Sequence, residues 1–323
     1  MMRRAVIGGS IAVAVLLTVL AGAYIWVRTA FDAAGPSGAD ATLVLPRGSG
    51  LNSIADALKK SGLIDRRWVF IGGVRLAGEA HELKAGEYFF PAHISPRQIM
   101  DLLRQGRTVV RHLTVPEGLT SAEVLALVAS APALEGEAPH NVAEGALLPE
   151  TYNYSWGETR AAMVQRMRHA MDETLEGLWA SRSPGLPFAT PQQALILASI
   201  VEKETGVAAE RPRIAAVFIN RLRLGMKLQS DPTVLYALSH GQGPLGRELG
   251  HGDLDLPSPY NTYRNDGLPP GPIANPGRAA IAAAMQPLVT KELYFVADGT
   301  GGHAFAETLE QHNRNVHRWR QQQ

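Results

Sequence analysis

The longest run of apolar positions lies at the N-terminus, where residues 5–27 carry no charged side chain. As an α-helix this run would reach about 35 Å, which is enough to cross the hydrocarbon core of a bilayer. Two arginines precede it, whereas Arg28 after it is offset by Asp32, and this asymmetry favours a cytoplasmic N-terminus. The pattern predicts a cytoplasmic tail at residues 1–4 and a transmembrane anchor at 5–27, with the rest of the chain outside.

A cleaved signal peptide is the alternative explanation of the same run, because Ala-Gly-Ala at residues 21–23 resembles a small-residue cleavage site. The run is long for a signal peptide, however. It also continues through Tyr24 and Trp26, which is typical of an aromatic anchor at the membrane interface. We therefore predict that the helix is retained, and either explanation exports the remainder of the chain.

Residues 28–40 are rich in Ala, Gly, Pro and Ser, a composition that predicts a short flexible linker. The next segment, residues 41–112, mixes strand and helix patterns. Short apolar runs at 42–45 and 87–90 are bounded by Gly or Pro and predict strands. Two helical stripes accompany them, at Leu51, Ile54, Ala55 and Leu58 and, after the capping box Ser95-Pro96-Arg97-Gln98, at Ile99, Met100, Leu102 and Leu103.

A strand, a Pro-x-Gly turn and a helix occur twice, starting at residues 44 and 113. One such repetition is too little for a repeat fold. Residues 130–147 are rich in Ala, Pro and Gly and predict a surface connection. Residues 163–178 predict a helix, and residues 183–189 predict a loop.

The pattern changes at residue 190, where a capping box with proline at the first helical position, Thr190-Pro191-Gln192-Gln193, opens a helix. From Ala194 to Val201 this helix is apolar nearly all round, which is typical of a buried helix. Glu202 and Glu204 follow before the helix ends. At about 100° per residue, both glutamates project between apolar positions of the preceding turns.

Either glutamate could serve as an acid catalyst, because burial disfavours the ionised carboxylate and raises its pKa. A carboxyl group that stays protonated near neutral pH can donate its proton to a leaving oxygen. The alternative is that both glutamates are partly exposed and pair with Lys203, Arg211 or Arg213. From periodicity alone this second interpretation is the better supported one, and periodicity does not distinguish Glu202 from Glu204.

The next helix is predicted from residue 211 to residue 224, and Gly225 ends it. Its buried stripe consists of Ile214, Val217, Phe218 and Leu222. Asn220 lies beside this stripe and is a candidate substrate contact. The slightly better supported alternative for Asn220 is a hydrogen bond to backbone at the edge of the core.

Two loops rich in polar and aromatic residues follow, at 228–233 and 259–273. Tyr, Asn and Thr combine flat apolar faces with neutral hydrogen bonds, which suits sugars, and Gly and Pro make such loops rigid. The alternative is a turn-rich connection without a ligand, although connections this long are usually functional or disordered. The candidate substrate-binding residues here and in the segment after the first loop are Gln229, Asp231, Thr233, Tyr236, Tyr260, Asn261, Thr262 and Tyr263.

The C-terminal region predicts a hairpin, with strands at 291–296 and 303–306 joined by a Gly-rich turn. His303 begins the second strand. It either lines a binding site or caps the turn, and the sequence favours neither.

Composition excludes several classes of function. The chain of 323 residues has no cysteine, which excludes disulfides, thiolate zinc sites and cysteine nucleophiles. The net charge of +1 does not suggest a nucleic-acid-binding protein, which normally carries a concentrated basic face. The ten histidines lack paired ligand spacing, and the chain has no serine-nucleophile elbow and no phosphate-binding glycine loop. We therefore expect neither a metal nor another cofactor.

Six strings in the last part of the chain carry a family resemblance. They are Ala198-Ser199-Ile200-Val201-Glu202-Lys203-Glu204-Thr205, Val217-Phe218-Ile219-Asn220-Arg221-Leu222, Leu228-Gln229-Ser230-Asp231-Pro232-Thr233, Tyr260-Asn261-Thr262-Tyr263, Gly267-Leu268-Pro269-Pro270-Gly271-Pro272-Ile273 and Tyr294-Phe295-Val296-Ala297. Together and in this order they closely resemble the endolytic murein transglycosylase family, also called YceG-like. Glu144-Gly145 followed by Pro149-Glu150-Thr151-Tyr152 resembles an earlier motif and adds Glu150 and Tyr152 to the candidate substrate-binding residues.

The resemblance spans about residue 41 to the end and implies an α+β fold. An N-terminal transmembrane helix would precede a small LysM-like α/β subdomain at residues 41–112 and a larger mixed α+β catalytic domain at residues 113–323. The resemblance implies a single-pass protein of the bacterial inner membrane with a periplasmic catalytic domain. It also assigns the catalytic role to Glu202, which periodicity left undecided.

For the chemistry, the resemblance implies a carbon–oxygen lyase. One carboxyl group protonates the glycosidic oxygen between N-acetylmuramic acid and N-acetylglucosamine, and then removes the proton of the muramyl 6-hydroxyl, which closes a 1,6-anhydro ring. No water is consumed, in contrast to the usual scheme with two carboxylates. The implied partners are peptidoglycan glycan strands and inner-membrane lipid, with peptidoglycan synthases as candidates, and the implied role is to limit the length of nascent strands.

Two other functions stay open. Residues 146–148 are Ala-Leu-Leu where the family often has bulky aromatics, which weakens the expectation of sugar stacking there. A non-catalytic peptidoglycan-binding or scaffold protein of the cell-wall synthesis machinery is one alternative, and the intact motif around Glu202 argues against it. A hydrolase that uses Glu202 with Asp231 or Asp253 is the other, and it needs a correctly placed second carboxylate.

Overall fold

The structure, a computed structural model, describes residues 2–321, with the side chains of residue 11 and residues 13–321. The chain divides into two compact units. Unit 1 runs to Arg111 and includes Ser155–Gly157, and unit 2 comprises His112–Tyr154 and the residues from Glu158 onward. The division falls next to the predicted boundary between residues 112 and 113. Both units contain helices and strands, so the fold is mixed α+β.

Helix α1 (Met2–Asp32) contains a stretch, Val13–Asp32, that is long and apolar enough to cross a membrane. A signal sequence near an N-terminus would pass the same test. Met1 of the predicted tail, and the side chains of the rest of that tail, lie outside the described residues. The helix continues through residues 28–32, where we predicted a flexible linker. The physical reason is Phe31, which is 2% exposed in the core of unit 1 and therefore keeps this last turn helical.

Unit 1 is built on a two-stranded antiparallel sheet of β1 (Ala41–Leu45) and β2 (Gly86–Phe90), in which Leu43 lies opposite Tyr88. Three helices pack around it: α2 (Leu51–Lys60), α3 (Arg67–Ala77) and α4 (Pro96–Gln105). The structure confirms the predicted strands, α2 and the capping box of α4. Helix α3 was not predicted, because no side chain caps its start and its buried face contains Gly73 in place of a large apolar residue.

The N-terminal part of unit 2 holds two short sheets. Strand β3 (Arg111–Thr114) pairs with β5 (Thr151–Tyr154), and β4 (Leu134–Glu135) runs parallel to β6 (Glu158–Thr159). Helices α5 (Ser121–Ser130) and α6 (Arg160–Ala180) pack against them.

The predicted surface connection at residues 130–147 is wrong for several of its residues. Ala131, Leu134 and Leu147 are buried in the core of this region. The N–H of Leu147 also donates to the buried amide oxygen of Asn275. The reason is that small and proline-rich segments can follow the core surface when distant side chains satisfy their backbone groups.

The C-terminal part of unit 2 surrounds helix α7 (Pro191–Glu204), whose residues from Ala194 to Val201 are all buried as predicted. The remaining elements are α8 (Arg211–Arg223), α9 (Asp231–Ser239), α10 (Arg278–Met285), the antiparallel hairpin of β7 (Tyr294–Ala297) and β8 (His303–Ala306), and α11 (Leu309–Arg320). The hairpin and α8 are confirmed. The first polar loop is shorter than predicted, because residues 231–233 form the first turn of α9 with Pro232 at its start.

Candidate active site

Helix α7 carries two glutamates to the edge of the unit 2 core. Its side chains from Ala194 to Val201 are buried, so the helix cannot rotate without breaking the core. Near its C-terminal end the hydroxyl of Ser199 accepts the N–H of Ile273, which ties the helix to the second polar loop. The positions of the glutamates are therefore set by packing rather than by a flexible loop.

Glu202 is the first of these glutamates, and only 4% of its side chain is exposed. One carboxylate oxygen accepts a hydrogen bond of 3.1 Å from the guanidinium of Arg211, at the start of α8. The other accepts a hydrogen bond of 2.8 Å from the backbone N–H of Gly277. Arg211 also donates to Glu117, at 3.2 Å, so that one guanidinium bridges two carboxylates.

These contacts act in opposite directions on the protonation of Glu202. Burial raises the pKa of its carboxyl from the ordinary value, and the negative charge of Glu117 adds to this rise. The Gly277 N–H and the charge of Arg211 lower the pKa of the same carboxyl. The site therefore holds the proton of Glu202 more tightly than an exposed glutamate would, and it already holds donors for the carboxylate that remains once the proton has left.

Two glycines allow the close approach that this arrangement needs. A Cβ atom at Gly277 would overlap the carboxylate of Glu117. Gly118 adopts a φ of 78°, donates its N–H to the carbonyl of Asn275 and accepts a hydrogen bond from the ammonium of Lys203. The turns around residues 118 and 277 thus close over the end of α7 beside Glu202.

Glu204 lies two residues further along α7 in a different setting. Its carboxyl accepts a hydrogen bond of 2.5 Å from the hydroxyl of Ser230. Burial raises the pKa of Glu204 to about 7, although the Ser230 hydrogen bond lowers it, and the neighbouring charge of Asp231 raises it further. Asp231 in turn accepts a hydrogen bond of 2.5 Å from the hydroxyl of Tyr263.

The raised pKa alone does not select Glu202, because burial also raises the pKa of Glu204, to about 7. The hydrogen-bond partners of the two carboxyls do distinguish Glu202 from Glu204. Glu202 faces a cation and a backbone N–H, which stabilise a carboxylate, whereas the only hydrogen bond described for Glu204 within residues 2–321 comes from a neutral hydroxyl. A residue that must give and then take a proton needs support in both states, and Glu202 has it.

A third carboxylate with a raised pKa, the half-buried Glu144, lies in the same unit and was not predicted as a functional residue. It accepts hydrogen bonds from the N–H of Ser121 at 2.7 Å and the hydroxyl of Tyr236 at 3.3 Å. Burial raises the pKa of the Glu144 carboxyl. The ring of Tyr236 packs at 4.9 Å from that of Tyr260, which joins the two polar-aromatic segments that the sequence singled out.

Two cavities of unit 2 share Tyr236 in their walls. The larger, of about 790 Å³, is also lined by Glu144, Arg160 and His240. The smaller, of about 450 Å³, is also lined by Lys203, next to Glu202 in sequence, and by Ile273. Cavities of this size suit one or more sugar rings.

Several predicted substrate-binding residues hold the loops together instead of facing a cavity. Thr233 and Thr262 are buried and bond to each other at 2.9 Å. The amide of buried Asn261 donates to the carbonyls of Leu254 and Leu256. These side chains give the second polar loop the rigidity that its composition indicated.

Other candidates are engaged elsewhere in unit 2. Both amide hydrogens of Asn220 go to backbone carbonyls, at Thr290 and Glu292, which is the alternative that the sequence slightly favoured. The buried ring of Tyr152 lies in the core, with its hydroxyl on the carbonyl of Leu148. Exposed Glu150 contributes its backbone carbonyl to Val115.

His303 and Gln229 complete the set of predicted residues. His303 contacts Glu210 at 2.7 Å through its ring nitrogen and also donates its backbone N–H to that carboxylate. Gln229 accepts a hydrogen bond from the guanidinium of Arg221, at 3.3 Å. Both residues are therefore part of polar networks around α8 and the hairpin.

The sequence missed the residues that complete the setting of Glu202. Arg211 was considered only as a partner in the structural alternative, and Glu117 and Gly277 were not considered. The Pro-x-Gly turn at residues 116–118 and the Asn275-Pro276-Gly277 turn were the available signals. Within residues 2–321, the buried side-chain nitrogens without a hydrogen-bond partner are Arg211 Nε and His312 Nδ1, and such groups are unusual in a core.

No three His, Asp or Glu side chains of the described residues cluster as metal ligands would. The model of the YceG-like family matches residues 43–318 of the chain. The chain belongs to the YceG-like family. The match covers both units, including Glu117, Glu202, Arg211 and Gly277.

Relatives of this YceG-like chain carry a functional name. A Bacillus subtilis protein named endolytic murein transglycosylase is 31% identical over 84% of this chain and 82% of its own length. A Streptococcus pneumoniae protein of the same name is 31% identical over 92% of this chain. The chain spans 62% of the length of that second protein, less than two thirds.

A solved structure supports the fold. The crystal structure of a YceG-like protein from Listeria monocytogenes is 29% identical in sequence and superimposes with a TM-score of 0.54. The match covers 85% of this chain and 98% of the Listeria chain.

Proposed function

We propose that this chain is a lytic transglycosylase that cleaves the bond between N-acetylmuramic acid and N-acetylglucosamine in peptidoglycan, with Glu202 as its single acid/base. The observation that carries the proposal is the setting of Glu202. Its buried carboxyl has a raised pKa, and its two oxygens face Arg211 and the Gly277 N–H. The relatives named endolytic murein transglycosylase support the substrate class.

In the first step, protonated Glu202 gives its proton to the glycosidic oxygen while the bond from that oxygen to C1 of the muramyl sugar breaks. The N-acetyl group of this sugar stabilises the developing cation. In the second step, the Glu202 carboxylate takes the proton of the 6-hydroxyl while the 6-oxygen bonds to C1. The acid is restored, the product ends in a 1,6-anhydro ring and no water is consumed.

The neighbours of Glu202 have distinct roles in these steps. Arg211 and the Gly277 N–H stabilise the carboxylate between proton donation and proton removal. Glu117 accepts a hydrogen bond from the same Arg211 guanidinium, and its negative charge raises the pKa of Glu202. Glu117 thereby opposes the effect of Arg211, which favours the ionised carboxylate. Tyr236 offers an aromatic face for a sugar ring in the cavity that Lys203 also lines, and Tyr260 packs against the ring of Tyr236.

We also propose that α1 is retained as a single-pass anchor in the inner membrane, with unit 2 in the periplasm. The Ala-Gly-Ala sequence at residues 21–23 lies inside a continuous helix that reaches the unit 1 core at Phe31, which supports retention over cleavage. Unit 1 would act as a LysM-like glycan-holding part. Cleavage near the membrane would then limit the length of nascent strands beside the peptidoglycan synthases.

The hydrolase alternative has less support. Asp231 is bonded to Tyr263, and Asp253 is bonded to Arg247, which lowers the pKa of Asp253 to about 2. Neither aspartate is among the hydrogen-bond partners of Glu202 or of its immediate neighbours Arg211 and Gly277. The scaffold alternative would leave the buried, charge-balanced carboxyl of Glu202 without a role.

Mass spectrometry of the products tests the proposal. The full chain, purified in detergent, is incubated with peptidoglycan glycan strands, and the new ends are identified. We expect 1,6-anhydro-muramyl ends that disappear in the Glu202→Gln variant. Reducing ends would establish a hydrolase, and intact strands with the wild-type chain would establish a binding or scaffold protein.

A further inference from the structure

Helix α1 leaves its apolar stretch and enters the core of unit 1 without a break. Phe31 lies five residues after Trp26, or about 8 Å further along the helix axis. It is buried, and a Cβ atom at Gly73 of α3 would overlap its ring, so α1 and α3 are in close contact there. Asp32 is paired with Arg97 of α4. Phe31 is thus surrounded by protein, and Asp32, although exposed, is paired with a side chain of unit 1, so any lipid-facing part of α1 ends before these two residues.

Trp26 marks the point where the lipid-facing part of α1 meets unit 1. Its indole ring stacks on that of Trp68, at the start of α3, with ring centroids 4.9 Å apart and an interplanar angle of 19°. The guanidinium of Arg66 lies 5.2 Å from the Trp26 ring centroid. Because Trp68 is stacked on Trp26, it must lie at the same depth as Trp26 relative to any membrane that α1 crosses.

Both rings of this indole pair, Trp26 and Trp68, stay largely exposed, at 41% and 51%. Exposed indole rings are unfavourable in contact with water, but they are favoured in the headgroup layer of a bilayer. Arg66, whose guanidinium lies against the Trp26 ring, places positive charge beside the pair. The combination of amphipathic rings and cations fits the phosphates of an anionic lipid surface.

We propose that the indole pair rests in the headgroup layer of the anionic bilayer that α1 crosses, and so holds unit 1 against the membrane surface. The inference rests on the proposed membrane anchor and adds a second point of attachment to it. One helix alone would let unit 1 swivel about its exit point. Contact through Trp68, which lies outside the anchor, fixes which side of unit 1 faces the lipid.

The absence of cysteine allows a direct test, because a single introduced cysteine can be labelled at one site. An environment-sensitive fluorophore is attached at Asp65→Cys, beside Arg66, or at the matched exposed site Gln105→Cys, at the C-terminal end of α4. The full chain is placed in nanodiscs of phosphatidylcholine and phosphatidylglycerol. Quenching by a headgroup-spin-labelled lipid is then measured at each site.

We expect quenching to be several-fold stronger at residue 65 than at residue 105. Trp68→Ala should remove this difference. Phe89→Ala, which removes a similarly exposed aromatic side chain of unit 1, should preserve it. Equal quenching at the two sites, or an unchanged difference in Trp68→Ala, would overturn the inference alone.

Failure of the chain to enter nanodiscs would overturn the inference together with the anchor. Glycan cleavage is scored on the same preparation, so either result is distinguishable from a failure of the proposed enzymatic function.

Discussion

The C-terminal end of α7 carries two glutamates, Glu202 and Glu204, whose carboxyls have different hydrogen-bond partners. On one side Glu202 meets Arg211, Glu117 and the Gly277 N–H. On the other side Glu204 meets the hydroxyl of Ser230. Burial raises the pKa of both carboxyls, and the charges of His303 and Arg221 oppose this rise at Glu204, but among the described residues only Glu202 accepts hydrogen bonds directly from a cation and a backbone N–H.

The difference teaches that a raised pKa is not sufficient evidence for an acid catalyst. Burial raises the pKa of any carboxyl in the core, whether or not that carboxyl takes part in chemistry. An acid/base must be supported in both states, which requires opposing influences of the kind that surround Glu202. We therefore expect changes on the Glu202 side to alter catalysis and changes on the Glu204 side to alter stability.

Among the neighbours of Glu202, the largest effect is expected from Gly277→Ala. The new Cβ would overlap the Glu117 carboxylate and displace the N–H that bonds Glu202. Because a misplacement of about 1 Å can cost about 10²-fold in rate, we expect glycan cleavage to slow by up to that factor. Gly206→Ala is the matched control, since a Cβ there meets open space. Equal rates in the two variants would show that the Gly277 contact is irrelevant.

On the Glu204 side the expected effect is on the pH dependence of stability. The pKa of Glu204 is about 7 in the folded chain, against about 4.5 when unfolded. Between these values the folded chain keeps the proton that the unfolded chain has lost, so the unfolding free energy decreases as pH rises. The total decrease is ~3 kcal/mol across this window.

Glu204→Gln should lack this decrease, because its amide does not titrate and can still accept the Ser230 hydroxyl. Denaturant unfolding at several pH values measures the slope for both chains. Glu150→Gln, at an exposed position, is the control and should keep the wild-type slope. A Glu204→Gln variant with the wild-type slope would mean that Glu204 does not hold its proton in the folded chain.

The smallest effects are expected from the charges around Glu202. If Glu202 must be protonated, activity is lost as pH rises through its pKa. Glu117→Gln removes a charge that raises this pKa, so activity should be lost at lower pH. Arg211→Gln removes a charge that lowers it, so activity should persist to higher pH. We expect the Glu117→Gln shift to stay within about one pH unit, because Glu117 is substantially exposed to solvent. The Arg211→Gln shift should be the larger of the two, because Arg211 is mostly buried and donates directly to Glu202.

The pH dependence of kcat/KM on glycan strands measures both shifts. The two variants serve as controls for each other. A general loss of structure would not lower the pH at which activity is lost in one variant and raise it in the other. Shifts in the same direction, or none, would contradict the assignment of the titrating group to Glu202.

Local signals in the sequence predicted much of the fold. Capping residues and apolar stripes located α2, α4, α5, α7 and α8, and alternation located the C-terminal hairpin. The same signals failed at α10, which is rich in alanine and has little contrast between its faces, and at residues 28–32, where a single buried phenylalanine outweighs a linker-like composition.

The candidate site was predicted less completely, because its geometry depends on contacts between distant segments. Family motifs selected Glu202, but only the fold brings Glu117 and Gly277 to it from far along the chain. Motif residues such as Asn220 and Tyr152 were candidates for substrate contact, whereas the amide hydrogens of Asn220 and the hydroxyl of Tyr152 bond to backbone carbonyls. A family motif therefore does not distinguish a residue that takes part in the chemistry from one that stabilises the fold.

The most direct test of the account compares Glu202→Gln with Glu204→Gln in one glycan-cleavage assay, on chains whose unfolding transitions have been measured. Since general acid–base catalysis contributes about 10²–10⁴-fold, we expect Glu202→Gln to lose cleavage by at least this order while it stays folded. Glu204→Gln should retain cleavage to within about tenfold and still form 1,6-anhydro ends. The reverse ranking, with activity abolished only in Glu204→Gln, would contradict the assignment of Glu202 as the acid/base.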